Sequence, residues 1–171
     1  MNQLTKDELQ MHDLRVAAYH EAGHRIMYRR FGGDGDAVVW KNPNDNPDEL
    51  AWLGQFRPRI CPKVAHDIAI RSGLPTVDLP DNWRALHGMA GLVAEEILRG
   101  ETDPEFVAGA LDIRIFCGEV SATDLESMGI TNTIDFELNI EEVETAWRYL
   151  VQDWVFVEQE AESLIAEALM K

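Results

Sequence analysis

Leu9, Leu14, Ala17, Ala18, Ala22, Ile26 and Met27 return at the spacing of one helix face, and no proline interrupts them. Thr5-Lys6-Asp7-Glu8 just ahead has the form of a capping box. Gly32-Gly33 ends the segment, and Arg25, Arg29 and Arg30 stand near its close, where cations suit the helix dipole. The period then shortens. Ala37-Val38-Val39-Trp40 and Ala51-Trp52-Leu53-Gly54-Gln55-Phe56 have strand composition, and Asn42 to Glu49 between them is dense in turn residues. These two strands are predicted to pair antiparallel across a long loop, the second ending ahead of Pro58.

Helical spacing resumes further on. A short helix from Pro62 to Ser72, closed by Gly73, fits inside an otherwise irregular stretch rich in proline. A longer one runs from about Asn82 to Arg99 and stops at Gly100; Leu86, Met89, Ala90, Val93, Ala94, Ile97 and Leu98 form its apolar stripe. Ala90, Gly91 and Ala94 within it allow another helix to approach closely. Asp103-Pro104 is an N-cap and first-turn pair for a helix reaching about Cys117. Ser121-Ala122-Thr123-Asp124 reads as a further helix start, and a long helix or helix pair covers Ile140 to Met170. The expected fold is mainly α with a small β-hairpin, an α+β arrangement of one domain over residues 1–171.

Composition narrows the class. At 171 residues the chain is long enough for a real core, and 46% of it is hydrophobic, ordinary for a soluble globular protein. No apolar run approaches the ~20 residues that span a bilayer. The first residues are polar and acidic, unlike a secretory signal. Cys61 and Cys117 lie far apart and form no C-x-x-C pair, which suits a reducing cytoplasm and buried apolar roles. A net charge of −16 argues against nucleic acid or an anionic membrane as partner.

Chemistry concentrates in His20-Glu21-Ala22-Gly23-His24, an H-E-x-x-H pattern. On a helix, positions i and i+4 share a face one turn apart, so both imidazoles can reach one zinc ion at ~2.0–2.1 Å. Glu21 then points beside the metal, where it can take a proton from the attacking water and return it to a leaving amine. Gly23 costs roughly 1 kcal/mol in a helix interior, a cost explained if a side chain there crowds a neighbour or the metal site. Glu95 and Glu96 adjoin the apolar stripe of the second long helix, and one of them has to lie near it. The pair is either two solvated glutamates near a helix end, or one of them holds a ligand histidine in one tautomer or binds the metal directly, as in zinc peptidases of the His-His-Glu type. His66 and His87 have no spaced partner and read as exposed or internally satisfied side chains, His87 less firmly because its helix is expected to pass near the metal. The strand Leu53, Gly54, Gln55, Phe56 is either a structural hairpin arm or a free edge that holds an extended peptide by backbone hydrogen bonds.

Three separated blocks resemble the peptidase domain of the FtsH-type AAA proteases. The first is His20 to His24 with Ala17-Ala18-Tyr19 ahead of it; the second is Gly91-Leu92-Val93-Ala94-Glu95-Glu96-Ile97-Leu98-Arg99-Gly100-Glu101, similar to that family's G-x-x-A-E-E-x-x-x-G-E. The third, Ala122-Thr123-Asp124-Leu125-Glu126, is similar to its S-N-D-L-E, and Leu53 to Phe56 resembles its substrate-binding edge strand. The resemblance implies a zincin-like active-site helix packed on a helical bundle, with zinc (Zn2+) held by His20, His24 and an aspartate and Glu21 as base. Asp124 matches the motif and Asp112 lies closer to the family's spacing; the motif favours Asp124.

No G-x-x-x-x-G-K-[ST] loop occurs in the sequence, so the expectation is a cytoplasmic metallopeptidase that works without ATP on flexible or unfolded segments. Its expected partner is a protein or peptide substrate, with a homo-oligomer or a separate unfoldase as further options. Two alternatives stand beside it. One is a soluble zincin that cuts a single regulatory protein and uses a Glu as third ligand. The other is an inactive, zinc-stabilised binding module, against which the intact Glu21 speaks, since a structural zinc site has four protein ligands and needs no base.

Overall fold

The computed structural model describes residues 4–44 and 46–171. Met1, Asn2 and Gln3 of the polar start, and Asp45 of the turn-rich segment, lie outside the described residues. In chain order come α1 (Lys6–Arg30), β1 (Asp34–Lys41), β2 (Trp52–Ile60), α2 (Pro62–Arg71), α3 (Trp83–Leu98), α4 (Pro104–Phe116), α5 (Ala122–Ser127), α6 (Ile140–Gln152) and α7 (Trp154–Leu169). The chain is mainly α with one small antiparallel sheet, β1 beside β2.

The first helix forms as the pattern predicts. Thr5 Oγ1 accepts from the Glu8 backbone N–H, and Glu8 reaches back to the Thr5 N–H at 2.7 Å, so the capping box is complete. Leu14, Ala18, Ala22 and Met27 are buried along its inner face. That face lies against α3, α7 and the sheet, while α6 backs α3 and α4 from the other side. The arginines near the end of α1 also hold it in place. Arg25 pairs with Glu160 of α7, and Arg30 donates to Asp153 at 2.8 Å with its guanidinium over the Tyr149 ring.

Asp153 also resolves the long C-terminal segment into a helix pair. It breaks the helix between α6 and α7, and its side chain is turned to Arg30 of α1. The second strand runs past Pro58 to Ile60, longer than its composition predicts. Pro58 stands opposite Gly35, next to a register shift at the end of the ladder, where a missing N–H donor is tolerated. Both cysteines are free; Cys61 is half-buried and Cys117 is exposed, contrary to the expectation of burial, because Cys117 caps the end of α4 at the surface. No described helix is long and apolar enough to cross a membrane.

α1 and α3 approach closely at Gly23. A Cβ at Gly23 would stand 2.7 Å from the Ala90 carbonyl oxygen and 2.7 Å from the Ala94 Cβ. Helix propensity by itself favours alanine over glycine by roughly 1 kcal/mol. Overpacking against a helix backbone that cannot swing aside costs roughly 1–3 kcal/mol. Gly23→Ala is therefore expected to lower the unfolding free energy, by up to about 2 kcal/mol. Urea unfolding checks this, and a raised midpoint would show that the two helices are not held at this distance.

Candidate metal centre

The helical spacing brings His20 and His24 to one face of α1 with their Nε2 atoms 3.1 Å apart. Asp124 enters from α5. Its Oδ2 lies 3.4 Å from His20 Nε2 and its Oδ1 3.3 Å from His24 Nε2. Ser121, the N-cap of α5, accepts from the Asp124 N–H at 3.1 Å and fixes that turn. The turn sits directly on α3, where a Cβ at Gly88 would meet Ser127 Cβ at 2.7 Å and the Asp124 carbonyl oxygen at 3.1 Å.

Each imidazole is oriented through its other nitrogen. His24 Nδ1 donates to the His87 carbonyl oxygen at 2.9 Å. A carbonyl only accepts, so the hydrogen sits on Nδ1 and the neutral ring presents a lone pair at Nε2. His20 Nδ1 donates to Glu95 Oε1 at 2.6 Å, which leaves its Nε2 facing the same point. Gly91 makes room for both rings: a Cβ there would stand 2.5 Å from His20 Nε2 and 2.6 Å from His24 Nε2.

The two Nε2 atoms and the Asp124 carboxylate therefore converge, an arrangement that a proton on one imidazole or a bound cation would satisfy. His20, His24 and Asp124 are the one group of histidine, cysteine or carboxylate side chains among the described residues that is grouped closely enough to hold a metal ion. A tetrahedral zinc ion with ligands at ~2.0–2.1 Å requires donor atoms ~3.3–3.4 Å apart. Here the two Nε2 atoms are 3.1 Å apart, and Asp124 brings a different oxygen to each, Oδ1 at 3.3 Å from His24 and Oδ2 at 3.4 Å from His20, each separation close to that edge length.

The other predicted residues divide. Glu21 is buried, 6% exposed, beside the two histidines and under β2. A Cβ at Gly54 would fall 2.5 Å from Glu21 Cγ and 2.6 Å from its Oε1, so the missing side chain lets β2 lie against Glu21 without displacing it. Glu95 faces the site on the far side of His20, away from the converging Nε2 atoms. Glu96 touches neither imidazole and pairs with Arg99. Neighbouring helix positions point ~100° apart, so only one of the two glutamates can face α1. Asp112 is exposed on α4 and His66 lies on α2, and neither joins the cluster. Leu53, Gly54, Gln55 and Phe56 line a cleft of about 1580 Å³ that also contains His20, Glu21 and Asp124.

Two contributors have no signal in the sequence. His87 acts through its backbone carbonyl, and its ring packs 5.0 Å from His24 and 5.2 Å from Phe56. Arg114 of α4 donates to Glu95 Oε2 at 2.8 Å and to Oε1 at 3.3 Å. A carbonyl contact and a partner 19 positions from Glu95 belong to no spaced motif.

The charges respond to this crowding. Burial opposes a charged ring at His20, but the carboxylates of Asp124 and Glu95 outweigh it and raise its pKa to about 10. Burial likewise opposes ionised Asp124, and the two imidazoles overcome it and hold the carboxyl below its usual range. At Glu21 burial wins and pushes the carboxyl up. Burial, with the His24 ring next to it, lowers His87 to about 3.

These shifts set the pH response of the metal-free protein. His20 has a higher pKa folded than the 6.5 of a free imidazole, so its contribution is complete below about 6.5 and is lost as pH rises toward about 10. In a strong chelator the Tm is expected to fall between pH 7 and 10, and Glu95→Gln flattens that fall. A native Tm that rises over this interval contradicts the assignment. Family models and curated proteins were both compared with the chain and none matches, so the chemistry of the centre is read from its own residues.

Proposed function

We propose that the chain is a zinc-dependent metallopeptidase, an FtsH-type peptidase domain that cuts flexible or unfolded protein segments without ATP. The observation that carries the reading is the convergence of His20 Nε2, His24 Nε2 and Asp124 beside a buried Glu21 at the wall of a large cleft. His20, His24 and Asp124 would hold the ion, leaving a fourth position open as catalytic zinc sites do. When bound there, zinc supplies a Lewis acid that polarises the scissile carbonyl and makes water more acidic.

The chain's own residues supply the rest. Glu21 takes the proton from the attacking water and gives it to the leaving amine nitrogen. Burial raises its pKa above the usual carboxylate value, which makes it a stronger base. Glu95 and the His87 carbonyl keep both Nε2 lone pairs on the reaction side. In β2, the Asn42 N–H bond to the Ala51 carbonyl sets the ladder's alternation, which turns the backbone groups of Trp52, Gly54 and Phe56 away from β1. Those groups line a free edge beside Glu21, suited to an extended peptide added as a strand. The proposed setting is the cytoplasm, and the proposed partner is a polypeptide substrate.

Glu21→Gln keeps size and helix preference but cannot accept the proton. It is expected to bind zinc like the native chain and to cleave casein at least ~10²-fold more slowly. Zinc content and rates are measured side by side. Equal measurable rates rule out Glu21 as the base, and a native chain that binds zinc but cleaves nothing favours a binding module.

The strand contact has its own test. Methylating a substrate amide removes one backbone donor, and in an added strand only alternate amides face β2. A methylation scan along a cleaved peptide is expected to slow cleavage at every second position near the scissile bond. A uniform profile would leave β2 as a structural arm only.

A further inference from the structure

We infer that Arg114 is a positioning residue of this centre, holding Glu95 so that His20 presents Nε2 to the metal. The inference rests on the zinc reading above. Glu95 is 4% exposed and receives donors from three directions: His20 on Oε1, Arg99 on Oε2 at 3.2 Å, and Arg114 on both oxygens. Only Arg114 engages the carboxylate as a fork, at 2.8 and 3.3 Å. A planar guanidinium with two parallel N–H groups fixes the plane of a carboxylate as well as its place. That plane aims the Oε1 lone pair at His20 Nδ1.

Arg99 is less suited to the task. It makes one longer bond to Glu95, has its shortest contact with Glu96, and its side chain is 44% exposed; Arg114 is 18% exposed and has its shortest contact with Glu95, Glu119 and Glu96 standing further off at 3.8 and 3.9 Å. The two arginines also differ in mounting. Arg99 leaves the same helix as Glu95, one turn on, and moves with it. Arg114 comes from α4, which is packed on α3 and α6, so it ties Glu95 to a second element. A guanidinium carries donors and no acceptor, so the Glu95 oxygens stay acceptors and the His20 hydrogen stays on Nδ1. Without the fork, Glu95 is left to turn about its last torsion in the space Arg114 vacates, and His20 loses its fixed plane.

The experiment measures zinc affinity by competition with a chromophoric chelator for the native chain, Arg114→Ala, Arg114→Lys and Arg99→Ala. Thermal unfolding of each apo protein runs in parallel. Loss of the direct hydrogen-bond partner of a ligand histidine weakens metal binding by roughly 10–100-fold; Arg114 acts one bond further out, through Glu95, so about 10-fold, the lower end, is the expectation for Arg114→Ala. Arg114→Lys recovers part of the loss, since the ammonium donates from a point and not as a fork. Arg99→Ala moves the affinity least. A second readout is the ring nitrogen spectrum of His20 in the zinc-loaded protein: the native chain shows a sharp, slowly exchanging Nδ1–H, and Arg114→Ala broadens or shifts it. Should Arg114→Ala not fold, Arg114→Lys against Arg99→Ala carries the comparison. Native zinc affinity in a folded Arg114→Ala, or equal losses in the Arg114 and Arg99 variants, overturns the inference and leaves the zinc reading standing. No zinc binding by the native chain overturns both.

Discussion

The close approach of α1 and α3 at Gly23 is the constraint on which the rest of the structure depends. With Ala90 and Ala94 opposite Gly23, the helix backbones meet almost without side chains between them. Three positions of α3 at successive turns then meet the two histidines of α1. His87 offers a carbonyl to His24, Gly91 leaves a gap for both rings, and Glu95 offers a carboxylate to His20. A wider spacing between the helices would put both hydrogen bonds out of reach together.

The close spacing creates an electrostatic demand. Two imidazole lone pairs and the Asp124 carboxylate meet within hydrogen-bonding distance, at a point largely withdrawn from water. Without a metal the demand falls on His20, whose proton is held far above the usual imidazole range. A metal ion would answer it without that proton, which is why binding and protonation compete at the same atoms. The negative charge of Glu95 is balanced separately, by Arg99 and Arg114 on its outer side. The inner and outer charges thus alternate outward from the centre: carboxylate, imidazole, carboxylate, guanidinium.

Two further glycines close the site. Gly88 lets α5 rest on α3 and deliver Asp124, and Gly54 lets β2 lie on Glu21. In both places a β-carbon would collide with a residue of the centre or its support. The strand at the cleft wall and the aspartate opposite it therefore depend on missing side chains as much as on present ones.

Helix positions and the common face of His20 and His24 were legible in the sequence because their causes are local. Apolar periodicity, the Thr5–Glu8 box, Asp103-Pro104 and the stop glycines mark ends within a turn or two of themselves. The i, i+4 spacing of His20 and His24 sets their common face before any tertiary contact forms. What lies across the fold was not legible. Sequence favoured Asp124 over Asp112 on the motif alone, because the placement itself depends on how α4 and α5 fold back over α3, and it left both Glu95 and Glu96 as candidates. It ended β2 ahead of Pro58, since the register shift opposite Gly35 that tolerates the proline belongs to the other strand. It gave His87 no part and did not reach Arg114, because one acts through a backbone carbonyl and the other through a partner on another helix. Local rules act along the chain, whereas the distances that assemble this centre are set by helix packing, and packing is decided only when the whole core closes.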